Sequence, residues 1–273
     1  LFASYGITSV IRGTPQQLMW HSYYLLKDTL RYETPRAVVL NVYAMRYGEP
    51  QNEAYNRLAL DGMQWSGVKA AAIRASMTGE EPFASYLFPL LRYHDRWGEL
   101  GADDWTYLFD HKTVSHNGYL MQTGVKPMTG AQEPFPLADD ALPARAWEYL
   151  DRIRTLCEEK EIELILVKAP TNSWSYWWYD EWESQISDYA KTHGLSYYNF
   201  INCQEEIGLD WSTDTYDEGV HLNVSGAEKL TDYFGKILSE QHRLPDHRTE
   251  AETAALWAEK LERYRTEQKG DQP

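Results

Sequence analysis

Two hydrophobic rhythms alternate along this chain. Unbroken apolar runs of strand type occur at Ala37-Val-Val-Leu-Asn-Val-Tyr43 and Glu163-Leu-Ile-Leu-Val-Lys168, with a shorter one at Leu195-Ser-Tyr-Tyr-Asn-Phe200. Runs that skip the polar alternation belong to strands covered on both faces. Thr8-Ser-Val-Ile-Arg12 reads as a further short buried strand, ended by Gly13. Between these runs the apolar positions step by three and four, the spacing of helices. Thr14-Pro-Gln-Gln17 predicts a capping box with Pro at the first helical position, and a helix to about Tyr32 that Pro35 has stopped. This strand, helix and strand would form a parallel crossover. Trp147, Leu150, Ile153 and Cys157 mark a helix that ends near Lys160. Another runs from about Ser175 to His193 and closes at Gly194, a good residue after a helix end. Ser225-Gly-Ala-Glu228 is a second capping box, and Leu230, Tyr233, Phe234, Ile237 and Leu238 carry its helix to about Gln241.

The alternation predicts an α/β domain with a mainly parallel sheet over residues 1–242. Residues 49–136 interrupt it with helical patterns at Glu53–Met63 and Val68–Ser76 but no convincing strand, so an α-rich insertion is expected there. Within it, Thr113–Pro136 reads as a long polar loop, a kind that is often functional. Residues 243–273 are charged, with Leu256, Leu261 and Tyr264 sparsely spaced, and predict a peripheral helix.

Charge narrows the partners. A net charge of −15 argues against nucleic acid, since nothing neutralises phosphates, and against docking on an anionic membrane surface. No apolar run reaches the roughly 18 residues of a membrane-crossing helix. The two cysteines read as unpaired thiols, Cys157 on an apolar helix face and Cys203 in a loop.

The densest chemistry lies in Thr213-Asp-Thr-Tyr-Asp-Glu-Gly-Val-His-Leu-Asn-Val-Ser-Gly-Ala-Glu228. Asp217 precedes His221 by four residues, in a short loop held against a well-marked helix start. A His oriented by a carboxylate is the base half of a nucleophilic hydrolase. Glu218 and Asp214 are rival acids, and Asp217 also reads as a loop acid that bonds nearby amides.

The block Asp217-Glu-Gly-Val-His-Leu-Asn-Val-Ser-Gly-Ala-Glu-Lys-Leu230 resembles the last conserved block of the SGNH/GDSL hydrolase superfamily, nearest to a bacterial cell-envelope branch. In most of that superfamily the acid stands three residues before the His, where this chain has Glu218. The resemblance implies a flavodoxin-like three-layer α/β/α fold and a Ser-His-Asp mechanism without a cofactor. It implies that the nucleophilic Ser lies ahead of Leu1, because the first-block Gly-x-Ser turn is not found here and Tyr5-Gly-Ile-Thr-Ser-Val-Ile11 resembles the segment just after it. Ser4 and Ser9 are not substitutes.

Gly13 falls where the superfamily's second block offers a backbone N–H to the oxyanion; it reads equally as a turn glycine. Asn41 lies near the third block but lacks the Gly and the Asn-Asp partner of that pattern. Lys168, after a buried strand, suits an anionic substrate group or a buried acid, or snorkels to water. Trp174, Trp177 and Trp178 head a dense aromatic stretch suited to a carbohydrate face or to packing on the sheet.

These readings give a serine esterase or O-acyltransferase on an acyl, most plausibly acetyl, ester of a cell-envelope glycan. The branch implies an extracytoplasmic, surface or membrane-anchored location. The competing expectation is a non-catalytic glycan- or partner-binding envelope protein of the same fold. A metal-dependent hydrolase using His94, His111 or His116 is a third; no trusted ligand spacing supports a metal site.

Overall fold

The computed structural model describes residues 2–88, 101, 116–128, 135–137 and 139–270. The described residues form an α/β structure in which helices surround a small parallel sheet. The strands are β1 (Ala37–Asn41), β2 (Glu163–Lys168) and β3 (Ser196–Asn199), hydrogen-bonded in the order β1-β2-β3 with both pairs parallel. Parallel neighbours need long crossovers, and helices supply them. α1 (Met19–Thr29) precedes β1. α2 (Glu53–Leu60), α3 (Gly67–Ser76), α4 (Phe83–Leu87) and α5 (Ala144–Glu159) lie between β1 and β2. α6 (Asp180–His193) joins β2 to β3. The chain continues through α7 (Gln204–Ile207), α8 (Val224–Gln241) and α9 (Ala251–Gly270).

β2 is the central strand and explains the unbroken apolar run. Leu164 and Leu166 join a cluster with α1, α3, α5 and α6, whereas Ile165 and Val167 join a second one with Phe200, Phe234 and Leu238. Alternate side chains thus enter two separate apolar clusters. α6 has Asp180, Glu181 and Glu183 in its first turn and Lys191 and His193 in its last, each matched to the helix dipole. Gly194 follows with φ 64°, as expected of a left-handed cap.

Several expectations are corrected. Thr8–Arg12 forms no strand; Val10 is 64% exposed, and the segment is tied instead to Asn117, whose carbonyl accepts from Ile11 N–H and whose Nδ2 donates to Ser9 O. Among the described residues no strand precedes α1 to make the expected crossover. Thr14 N–H does donate to Gln17 Oε1 at 3.0 Å, but the motif closes only a turn, with Gln16 at φ 51°. α1 starts at Met19, where His21 Nδ1 accepts from Leu18 N–H at 3.0 Å. β1 ends at Asn41, and Val42–Arg46 is a 3-10 turn rather than strand. Trp174–Tyr176 is likewise a separate 3-10 turn ahead of α6. No helix among the described residues is long and apolar enough to cross a membrane.

Candidate functional site

The loop between α7 and α8 is built around Asp214. Its carboxylate is fully buried, with Oδ2 accepting from Asp210 N–H at 2.8 Å and from Lys229 Nζ at 2.6 Å, and Oδ1 accepting from Ser225 Oγ at 2.8 Å. Burial alone would raise its pKa. The Asp210 amide, the Lys229 ammonium and the Ser225 hydroxyl outweigh that and hold it below the usual range. Asn223, not Ser225, caps α8: its Oδ1 accepts from Gly226 N–H at 3.2 Å. Gly226 must be glycine here, since a Cβ would stand 2.7 Å from Asp214 O.

From this anchor a tight excursion carries Asp217 and His221. Thr215 and Leu222 form an antiparallel bridge at its base. Thr215 Oγ1 accepts from Gly219 N–H at 2.9 Å and from Asp217 N–H at 3.3 Å. Glu218 (φ 61°) and Gly219 (φ 84°) are both left-handed and reverse the chain, so that His221 returns beside Asp217. Gly219 O in turn accepts from Thr171 Oγ1 and Asn172 N–H, which fixes the tip to the segment after β2.

Asp217 holds His221 at two points. Oδ1 accepts from the backbone N–H at 2.7 Å, and Oδ2 lies 2.6 Å from Nδ1. A carboxylate only accepts, so Nδ1 carries the proton of a neutral ring and the lone pair sits on Nε2. Nε2 bonds nothing among the described residues, and the His221 side chain is 52% exposed. Tyr216 stacks nearly parallel to the imidazole (5.9 Å, 12°), and Tyr176 meets it edge-on (5.6 Å, 67°). Tyr176 itself stacks on Tyr43 at 4.8 Å. The phenols of Tyr176 and Tyr216 are pushed up, mainly by burial, and stay neutral at pH 7.

The three candidate acids thus part company. Asp217 takes the imidazole and Asp214 pins the helix. Glu218 pairs with Lys126 at 3.1 Å, both well exposed. Residues 116–128, read as loop, reach this site: Lys126 N–H donates to Thr215 O, Glu218 N–H to Lys126 O, and Asn223 Nδ2 to Gly124 O.

The other candidates fall at different distances from this pair. Asn41 ends β1 and spends Oδ1 on Tyr43 N–H at 3.1 Å, leaving its amide N–H groups unspent among the described residues. It thereby adjoins Tyr43 of the Tyr43–Tyr176 stack, and no hydrogen bond among the described residues joins it to His221. Gly13 lies in exposed coil six residues ahead of α1, so the helix start once expected there is absent. A Cβ at Gly13 would meet only the side chain of Ile11, and no contact among the described residues ties it to the His221 loop. Lys168 is 2% exposed, donates to Ala169 O at 2.9 Å and lies 5.3 Å from the Tyr43 ring and 5.8 Å from the Trp178 ring. Burial lowers its pKa to about 7. It does not snorkel, and it forms no ion pair among the described residues.

Trp178 is a core residue, 7% exposed, donating Nε1 to Glu183 Oε2 and packed on Trp182. Trp174 (37% exposed) packs on Phe135, and Trp177 is 42% exposed. The ring that does reach His221 is that of Tyr176, in the same stretch and not singled out from sequence, along with Tyr216. A spacing signal existed for Tyr216, which directly precedes Asp217; none existed for Tyr176.

Both cysteines are free. Burial pushes the Cys157 thiol up to about 11, which makes it inert. Among the described residues no three His, Cys, Asp or Glu side chains converge as metal ligands. His116 Nε2 lies 2.6 Å from Glu267, while His94 and His111 lie outside the described residues. No protein-family model, curated protein or solved structure matches this chain.

Proposed function

We propose that the His221 loop is the base half of an SGNH-like ester-cleaving or acyl-transferring site, within a flavodoxin-like three-layer domain. His221 Nε2 removes the proton of a serine hydroxyl supplied by chain ahead of Leu1, and Asp217 fixes the tautomer and stabilises the imidazolium that forms. The Asn41 amide, whose N–H groups are unspent among the described residues, is the oxyanion donor we suggest, and Gly13 has no support in that role. The observation that carries the reading is the two-point grip of Asp217 on a His whose second nitrogen is open. The two apolar clusters flanking β2 support the layered fold. An acyl ester of an envelope glycan, handled outside the cytoplasm, is the substrate class we favour, with the exposed rings of Trp174 and Trp177, which flank Tyr176 in the chain, as its platform.

Those same exposed rings favour a second reading, a glycan-binding protein of this fold without catalysis. The test is hydrolysis of p-nitrophenyl acetate by residues 1–273 alone and by the chain extended through its preceding reading frame. The extended chain should turn over and lose activity in His221→Ala, while residues 1–273 alone should be nearly inactive. Equal turnover by both, or turnover that survives His221→Ala, would sink the proposal; no turnover by either favours the binding protein.

A further inference from the structure

A cavity of about 320 Å³ lies beneath α9. Its walls come from α8, α9, the turn Phe2–Tyr5 and residues 116–119, and none of its lining residues belongs to the His221 loop. The inward positions of α9, Trp257, Leu261 and Tyr264, are only half-buried, so the helix spans the space without filling it. Polar props hold the helix off. Tyr264 Oη donates to Glu228 Oε1 at 2.9 Å, Lys260 Nζ donates to Asn117 Oδ1 at 2.8 Å, and Glu267 Oε2 lies 2.6 Å from His116 Nε2. Apolar side chains alone would let the helix settle onto α8 and close the gap. Here each prop is a long side chain bonded at its tip.

The lining selects the ligand by chemistry. Trp257, Tyr119 and Tyr264 offer flat apolar faces with polar edges. Lys260 has spent one of its three donors. Asp232 Oδ2 and Glu228 Oε2 accept nothing among the described residues; Asp232 Oδ1 takes the Tyr5 hydroxyl, and Glu228 Oε1 takes Tyr264 and Gln268. Asp232 and Glu228 stand exposed at the rim, and a hydrocarbon would cover the rings yet leave their free oxygens and the remaining Lys260 donors without a ligand partner. An anion would face two carboxylates, and a cation would face the ammonium. A neutral ring with an apolar face and a rim of hydroxyls satisfies both. The volume lies at the small end of the ~300–1,000 Å³ of small-molecule sites.

We propose that this cavity binds a neutral saccharide of one or two pyranose rings. The site is independent of the ester-cleaving reading and survives its failure. Saturation-transfer NMR and calorimetric titration with cellobiose, maltose and N,N′-diacetylchitobiose, with indole as an aromatic control, test it on the whole protein. At least one disaccharide should bind in the millimolar range, and Trp257→Ala should weaken it by about tenfold or more. Asp232→Asn, which keeps the Tyr5 bond, guards against undocking of α9 and should weaken binding severalfold with unchanged circular dichroism. His221→Ala should leave affinity unaltered. Binding of indole without any disaccharide, no binding at all, or affinity indifferent to both Trp257→Ala and Asp232→Asn would overturn the proposal.

Discussion

Two of the carboxylate–histidine pairs among the described residues, His242 with Glu163 and His221 with Asp217, differ in what is left over. At the start of β2, Glu163 Oε1 lies 2.7 Å from His242 Nδ1, and the Tyr198 hydroxyl lies 2.9 Å from Nε2. That imidazole is 2% exposed and has both nitrogens spent. In the loop before α8, Asp217 grips His221 with a similar short contact, but Nε2 opens to solvent. The first pair is a staple between α8 and the sheet. The second holds a ring ready to act on something else. Proximity of acid and His therefore does not separate a structural pair from a candidate base; a base also needs a second nitrogen left open, as in the proposed role of His221.

The widest gap between the pairs should come from truncating each histidine in a chain that includes the preceding segment. His221→Ala should lower kcat/KM on p-nitrophenyl acetate by about 10³–10⁴, with stability changed by no more than about 0.5 kcal/mol. His242→Ala should leave the rate alone and cost about 2 kcal/mol in urea unfolding, because a buried bonded group loses two partners. A rate loss in His242→Ala would erase the distinction. Asp214 sharpens the contrast within one loop. Asp214→Ala strands a half-buried Lys229, the Ser225 hydroxyl and the Asp210 amide, so about 3 kcal/mol should be lost on thermal unfolding. Asp217→Asn should instead be read in the rate, with little change in Tm.

The smallest effect concerns Lys168. Its ammonium has a folded pKa of about 7 against 10.5 in the free chain. The unfolded chain therefore holds one more proton between those values, and wild-type stability rises with pH across that window. Lys168→Met removes the penalty and should be more stable by about 1–3 kcal/mol at pH 7 and below, with the advantage shrinking toward pH 10. Urea denaturation at three pH values checks the trend; a Met variant less stable at pH 7 would mean that Lys168 has a partner worth more than its burial costs.

How much of this could be read from the sequence depends on the number of neighbours each residue needs. β2 was legible because the continuous apolar run Leu164–Val167 between two charged residues suits few alternatives to a central strand. Gly194 was legible because a left-handed helix end is a local demand. Thr8–Arg12 looked much like β2 in miniature, yet no strand among the described residues pairs with it, and so short an apolar segment (Val10-Ile11) carries no information about its partner. Ser225 matched a capping pattern, but Asn223 was two residues closer to the end and Asp214, eleven residues away, claimed the serine hydroxyl. The nearness of Asp217 and His221 was legible since both sit in one short loop. Which acid takes the imidazole needed the two left-handed residues, and only Gly219 announced itself. Tyr176 was hidden among many aromatic neighbours: composition marks such a stretch, and only the turn at Trp174–Tyr176 decides which ring faces His221.

The central claim is that His221 activates a serine outside the loop that holds it. Labelling the extended protein with a fluorophosphonate probe, then mapping the adduct by mass spectrometry, tests this most directly. We expect one adduct, on a serine ahead of Leu1, lost in His221→Ala and much reduced in Asp217→Asn. An adduct that forms equally well without His221, or no adduct on a folded wild-type protein, would contradict the account.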